Sequence, residues 1–352
     1  MRASRAGFTL VELLVSIAVL TLMVLFLGAI LNHTSKLWSI GENDVQRMEN
    51  LRAITDSVGN DMRGALLPLD RTNLNSLQFV VNPATITASS YNGDTVFWQA
   101  PIATTGTAGD VAEAGYFVKW DLSKPSNPRS LLCRFFVNPD GSFPHSETPG
   151  SNYLIYNPHV TIPNNASPEP WLLQAGWLSD SVINAVAPGI NSVGSAQAYQ
   201  GLFAENVIGL WIRCRDFFGQ PINSDFQGTS LAVSGGGQYQ YGYDSRMGYS
   251  YRDPNSGNVL QTPGYTNINL TASNNPQPLA ALPPEVDVGV VIIDSQGAAR
   301  ITPAMMNNID SVIATSSNAA SFITNAGANG GLRSIYANLR SYQTEVYLEN
   351  CK

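Results

Sequence analysis

The run RAGFTLVELLVSIAVL, residues 5–20, places a single carboxylate, Glu12, among side chains suited to a bilayer. A charge inside a membrane-spanning helix costs about 2.5–3.5 kcal/mol on insertion scales, so such a residue implies a partner by default. The plainer reading, in which Glu12 sits at the interface and snorkels into water, gives that carboxylate no task. Other residues that could do chemistry are sparse. His33, His145 and His159 form no H-E-x-x-H or other compact metal cluster. GTSLA (228–232) lacks the second glycine of a nucleophile elbow, and no G-x-x-x-x-G-K-[ST] loop occurs. An enzyme therefore has little support, and no cofactor is expected.

Three weaker features keep two readings each. DPNSGN (253–258) offers Asp253, Asn255 and Asn258 around Gly257, a faint likeness to a calcium loop. It has no downstream Glu in register, and an ordinary Asn/Gly turn explains it more simply. Tyr239, Tyr241, Tyr243, Tyr249 and Tyr251 lie in a Gly-rich stretch, as a recognition surface for carbohydrate or protein would, or as anchors of a large loop. Cys133, Cys214 and Cys351 have no C-x-x-C spacing and are too few for a disulfide scaffold or a zinc site. One bridge plus a free thiol, in any of three pairings, and three reduced thiols both remain open.

Composition narrows the partners. Charged residues make up 13% of 352, about half the usual share for a soluble domain, and the net charge is −7. Lysine occurs only at 36, 119, 124 and 352, so the electrostatic footprint of a nucleic-acid binder is missing. A hydrophobic content of 44% is ample for a core.

The element that must position Glu12 is a helix. From Leu13 to Leu31 there are 19 residues without a charge, which is about 28 Å of helix and close to a bilayer core. Arg2 and Arg5 precede it, so the positive-inside rule puts residues 1–7 in the cytoplasm and the body outside. A cleaved secretory signal would be shorter and end in small residues, and LGA (27–29) is a poor cleavage site. A plain anchor fits the length and the arginines but leaves Glu12 unexplained.

Beyond the span, Val45, Met48, Leu51, Ile54, Val58, Met62 and Leu66 recur every three or four residues and predict one buried helical stripe. Asp44–Arg47, Glu49–Arg52 and Arg52–Asp56 have ion-pair spacing, Gly41 is a candidate bend, and Pro68 is the clearest stop. Strands are predicted at 76–81, 94–100, 115–122, 130–137, 206–219, 285–297 and 341–350. Thr302 and Pro303 open a helix, and a further short one is expected near 332–339. The stretches 138–200 and 220–283 read as large loop insertions, with a short helix within 171–186.

GFTLVELLVS (7–16) strongly resembles the type IV prepilin signature: a short basic leader, Gly, Phe, and Glu at the fifth mature position. The resemblance implies cleavage between Gly7 and Phe8 by a prepilin peptidase and N-methylation of Phe8. It also implies that Glu12 meets the Phe8 amine of a neighbouring pilin-like subunit and sets the stagger of assembly. A carboxylate and an ammonium would offset each other's desolvation there. Loss of Arg2 and Arg5 would take the side-chain charge from −7 to −9.

In the body, NDMRGAL (60–66), GYFVKW with LLCRFFV, AENVIGLWIRCRDFFGQPI (204–222) and LPPEVDVGVVIID (282–294) resemble J-type minor pseudopilins of type II secretion. This chain is longer and richer in loops than those. It is also similar to the large prepilin-like proteins of Verrucomicrobia, the Verru_Chthon cassette family, including its protein C.

The expected fold is α+β and pilin-like: a leader (1–7), a membrane or filament-core helix (8–35), its amphipathic extension (36–67) and a β-rich body (68–352) with one antiparallel sheet. The expected function is a non-enzymatic minor pseudopilin or pilin-like subunit held in the bacterial cytoplasmic membrane before assembly. The alternative is a membrane-anchored adhesin or carbohydrate-binding protein exported by the prepilin route.

Overall fold

The computed structural model describes residues 10–66, 79–82, 91–102, 112–122, 124–137, 201–216, 218–219, 221–222, 241–245, 250–252, 259–261 and 282–351. Residues 1–49 and 50–352 form two compact units. A single helix, α1 (Leu10–Arg63), contributes to both and continues through Gly41 without a break. The structure is α+β, with antiparallel sheets following the long helix.

In the second unit, α1 offers the predicted stripe. Leu51, Ile54, Val58 and Met62 are buried in the main core, whereas Val45 and Met48, which the same periodicity predicts as buried, are exposed. The helix ends at Arg63, five residues before the expected stop at Pro68. A tertiary contact sets that end: Leu66 N–H donates to the Gln99 carbonyl at 3.0 Å, drawing the chain onto a strand edge.

The first sheet has six strands: β1 (Phe79–Val81), β2 (Val96–Ala100), β3 (Ala112–Asp121), β4 (Arg129–Val137), β5 (Gly201–Glu205) and β7 (Tyr243–Asp244), ordered β5-β4-β3-β2-β1-β7. The second has three, β6 (Val207–Arg215), β10 (Glu285–Ile293) and β11 (Leu339–Tyr347), ordered β11-β10-β6. A hairpin of β8 (Ser250–Arg252) and β9 (Val259–Gln261) stands apart in pairing. Where one antiparallel sheet is expected, the described residues form two larger antiparallel sheets and this two-stranded one. Alternation explains how both larger sheets serve one core. Trp98, Tyr116 and Leu132 from the first sheet join Leu210, Ile212, Val286, Val288 and Val290 from the second around the α1 stripe.

The second sheet's other face is covered at one end by α3 (Pro303–Ala314) and α4 (Ala319–Ala328). Ile208, Trp211, Val291 and Ile293 pack there on Ile309, Val312 and Phe322. Thr302 caps α3 as expected, accepting from Met305 N–H at 3.3 Å, with Pro303 in the first turn. Helix α4 was not predicted; the region near 332–339 holds two short 3-10 turns instead, Gly330–Leu332 and Tyr336–Asn338. The strand read within 285–297 stops at Ile293, and the turn signal that closes that stretch forms a one-turn helix, α2 (Ser295–Ala298), capped by Asp294.

The two sheets meet at a polar junction. One continuous segment supplies β5 to the first sheet and β6 to the second, and Asn206 between them has φ 62°. Asparagine tolerates this left-handed conformation better than other non-glycine residues, and here it turns the chain from one sheet into the other. A parallel bridge pairs Gly93 with Leu210: Asp94 N–H donates to the Leu210 carbonyl at 2.7 Å, and Leu210 N–H to the Asn92 carbonyl at 3.2 Å. The buried Asp94 carboxylate accepts from Ile212 N–H (2.8 Å), Asn82 Nδ2 (2.6 Å) and Arg213.

Gly93 has φ +92°, and a Cβ there would collide with the Leu210 carbonyl. Gly93→Ala is therefore expected to lower the unfolding free energy by about 2–4 kcal/mol, through backbone strain and displacement of the bridge. Denaturant unfolding of the full chain in detergent measures this, and an unchanged midpoint would contradict the close approach.

Candidate functional site: the N-terminal helix and its anchorage

Gly7 and Phe8 lie outside the described residues; Glu12 lies in the first described turn of α1 and is exposed. The large apolar side chains from Leu10 to Leu31 are 47–77% exposed, so this stretch is no part of a core among the described residues. An exposed apolar surface of this extent needs a second apolar medium, either lipid or other helices. Leu10–Trp38 is long and apolar enough to cross a membrane.

Three hydroxyls inside the stretch are disarmed locally. Ser16, Thr21 and Thr34 each donate a hydroxyl proton to the carbonyl four residues earlier, at 2.7, 2.7 and 2.9 Å. These three therefore leave no hydroxyl proton for a hydrocarbon surrounding to strand. Glu12 differs, because a carboxylate cannot discard its charge by bonding back to a carbonyl. Asp44 and Arg47 form the predicted ion pair further along.

Asp61 anchors the far end of the helix to the body. Its Oδ2 accepts from the Tyr116 hydroxyl at 2.7 Å and from Arg134 Nε at 3.0 Å, while its carbonyl accepts from Trp98 Nε1 at 3.2 Å. Three strands of the first sheet thus grip one helical residue. Burial, with the Asp61 charge beside it, pushes the Tyr116 phenol far above its usual value, so it stays a proton donor. The Arg134 guanidinium lies 4.8 Å from the Phe136 ring centroid. The sequence contains this anchor within NDMRGAL, but nothing local marks Asp61 as more than a surface acid.

The remaining candidates separate. Cys133 and Cys214 are buried free thiols, and Cys351 is a half-buried one. Cys214 belongs to the core around α1, with Cys351 packed against it. Cys133 neighbours Leu132 on β4, and alternation turns it to the opposite face. Burial raises Cys133 to about 11 and pushes Cys214 higher still. Asp253, Asn255 and Asn258 lie outside the described residues, in the segment joining β8 to β9. Tyr241 and Tyr243 are core residues: the Tyr241 hydroxyl accepts from Cys214 N–H at 2.9 Å and also bonds the Ile222 carbonyl. Tyr239 and Tyr249, like His145, His159 and residues 138–200, lie outside the described residues.

Residues 2–28 match the family model described as the prokaryotic N-terminal methylation motif. The matched segment contains Gly7, Phe8, Glu12 and most of the apolar stretch, and it supports a type IV prepilin-like protein anchored to the membrane by its N-terminus. No curated protein and no solved structure matches the chain.

Thiol burial has a direct readout. A neutral, buried thiol is a poor nucleophile, so maleimide at pH 8 is expected to label Cys351 first in the native protein. Cys133 and Cys214 should react only after denaturation. Equal labelling of all three in the native state would contradict their placement.

Proposed function

We propose that the protein is a minor, pseudopilin-like subunit of a short filament or its tip, in a secretion or pilus system. A prepilin peptidase would cleave between Gly7 and Phe8, and Phe8 would be N-methylated. Before assembly the chain would cross the cytoplasmic membrane once, with its N-terminus inside and residues 36–352 outside. Other pilin-like subunits would then replace lipid around Leu10–Leu31. The work is structural, without substrate turnover.

The observation that carries this reading is the coincidence of two features on one segment. Residues 2–28 match the methylation motif, and the apolar stretch Leu10–Trp38 that overlaps them is exposed among the described residues. Within that helix Glu12 would face the amine of a neighbouring Phe8, an ion pair whose value rises where water is excluded. The likeness of NDMRGAL to J-type minor pseudopilins gains a physical sense, since it contains the residue that fastens helix to sheet. The similarity to the Verru_Chthon cassette family, including its protein C, fits the chain's length and loops. An anchored adhesin would draw on the Tyr-rich stretch, yet Tyr241 and Tyr243 are occupied in the core.

Glu12→Ala tests the assembly role. Membrane insertion should persist, because the substitution removes a charge from an apolar helix. Recovery in the sheared or purified filament fraction should fall about tenfold or more, the effect of losing ~1.4 kcal/mol per contact. Wild-type incorporation would remove Glu12 from the assembly contact.

A further inference from the structure

The end of the second sheet away from α3 and α4 carries an acidic cluster. Glu285 and Asp287 lie two residues apart on β10 and so share a face, and Asp287 is the direct cross-strand partner of Glu345 on β11. Each of the three can place a carboxylate oxygen within 4.8 Å of the other two. Like charges directly opposite one another destabilise a strand pair, so this register is unfavourable unless something positive is shared.

Arg215 on β6 supplies part of that charge. Its Nε donates to Asp287 Oδ2 at 2.7 Å and lies 3.7 Å from Glu285 Oε1. Arg213 is turned to Asp94 and does not balance the rest. The other Asp287 oxygen, Oδ1, is buried and accepts no hydrogen bond among the described residues, although the residue is only 3% exposed. A buried carboxylate oxygen without a donor is costly and points to an absent electropositive partner.

We propose that Glu285, Asp287 and Glu345 form a calcium site that staples β11, the last strand, to β10. Carboxylate oxygens alone favour a hard cation over zinc or copper. Calcium takes six to eight oxygens in flexible geometry and so accepts a cluster that shares one carboxylate with Arg215, whereas magnesium demands a near-ideal octahedron. Exposed Glu345 gives the ion its entry, and water would complete the coordination. Arg215 would keep Asp287 Oδ2 and leave Oδ1 to the metal. Its ligands are other residues than Asp253, Asn255 and Asn258.

The test is calcium titration of the full chain in detergent after chelator treatment, followed by calorimetry and thermal unfolding. One calcium per chain should bind and raise the unfolding temperature. Glu345→Gln, an exposed change that spares the Arg215 contact, should weaken binding about tenfold or more through loss of one charged ligand. Asp253→Ala should leave the titration unchanged. Absence of calcium binding at millimolar concentration would overturn the proposal. So would a Glu345→Gln protein that titrates like wild type, or loss of binding in Asp253→Ala alone.

Discussion

The body is organised by one stripe of α1. Leu51, Ile54, Val58 and Met62 are each buried, and both sheets turn an apolar face to them. Full burial of such a side chain contributes about 1.5–3 kcal/mol, so these four contacts outweigh any single polar link in the body. Direction comes from elsewhere, because apolar contact alone would let the helix slide or rotate. Asp61 supplies it: hydrogen bonds from Tyr116 and Arg134, with the Trp98 indole on its carbonyl, fix one helical residue against three strands.

The same helix meets two chemical demands with two compositions. From Leu10 to Leu31 it is apolar all round, and its Ser and Thr hydroxyls are folded back onto its own carbonyls. From Leu51 onward it is apolar on one face only. Glu12 breaks the first pattern with a charge. The filament reading supplies a cation for it as the amine of a cleaved Phe8, which is why the leader and the carboxylate are read together.

Features carried by local chemistry were legible in the sequence. The Gly7–Phe8–Glu12 pattern, the apolar run, the α1 stripe from Leu51, the Thr302–Pro303 start and the β-rich runs all depend on neighbours within a few residues. Features carried by distant pairing were hidden. β5 was missed because nothing in the composition marks Asn206 as a change of sheet. Helix α4 was missed because AASFITNAGA opens on an Asn318–Ser321 capping box rather than the usual Ser or Thr with Glu, and holds a glycine near its end. Val45 and Met48 keep the helical period but are exposed. Asp61, Asp94 and the Glu285–Asp287–Glu345 cluster owe their surroundings to strand register, which no short window of sequence contains.

The most direct measurement is the mass of the N-terminal peptide, taken from protein purified out of cells bearing the native peptidase. Processing as a prepilin predicts a chain that begins at N-methylated Phe8, with residues 1–7 gone. An intact start at Met1 or Arg2 would contradict that account, and Glu12 would then be a charge in a plain anchor.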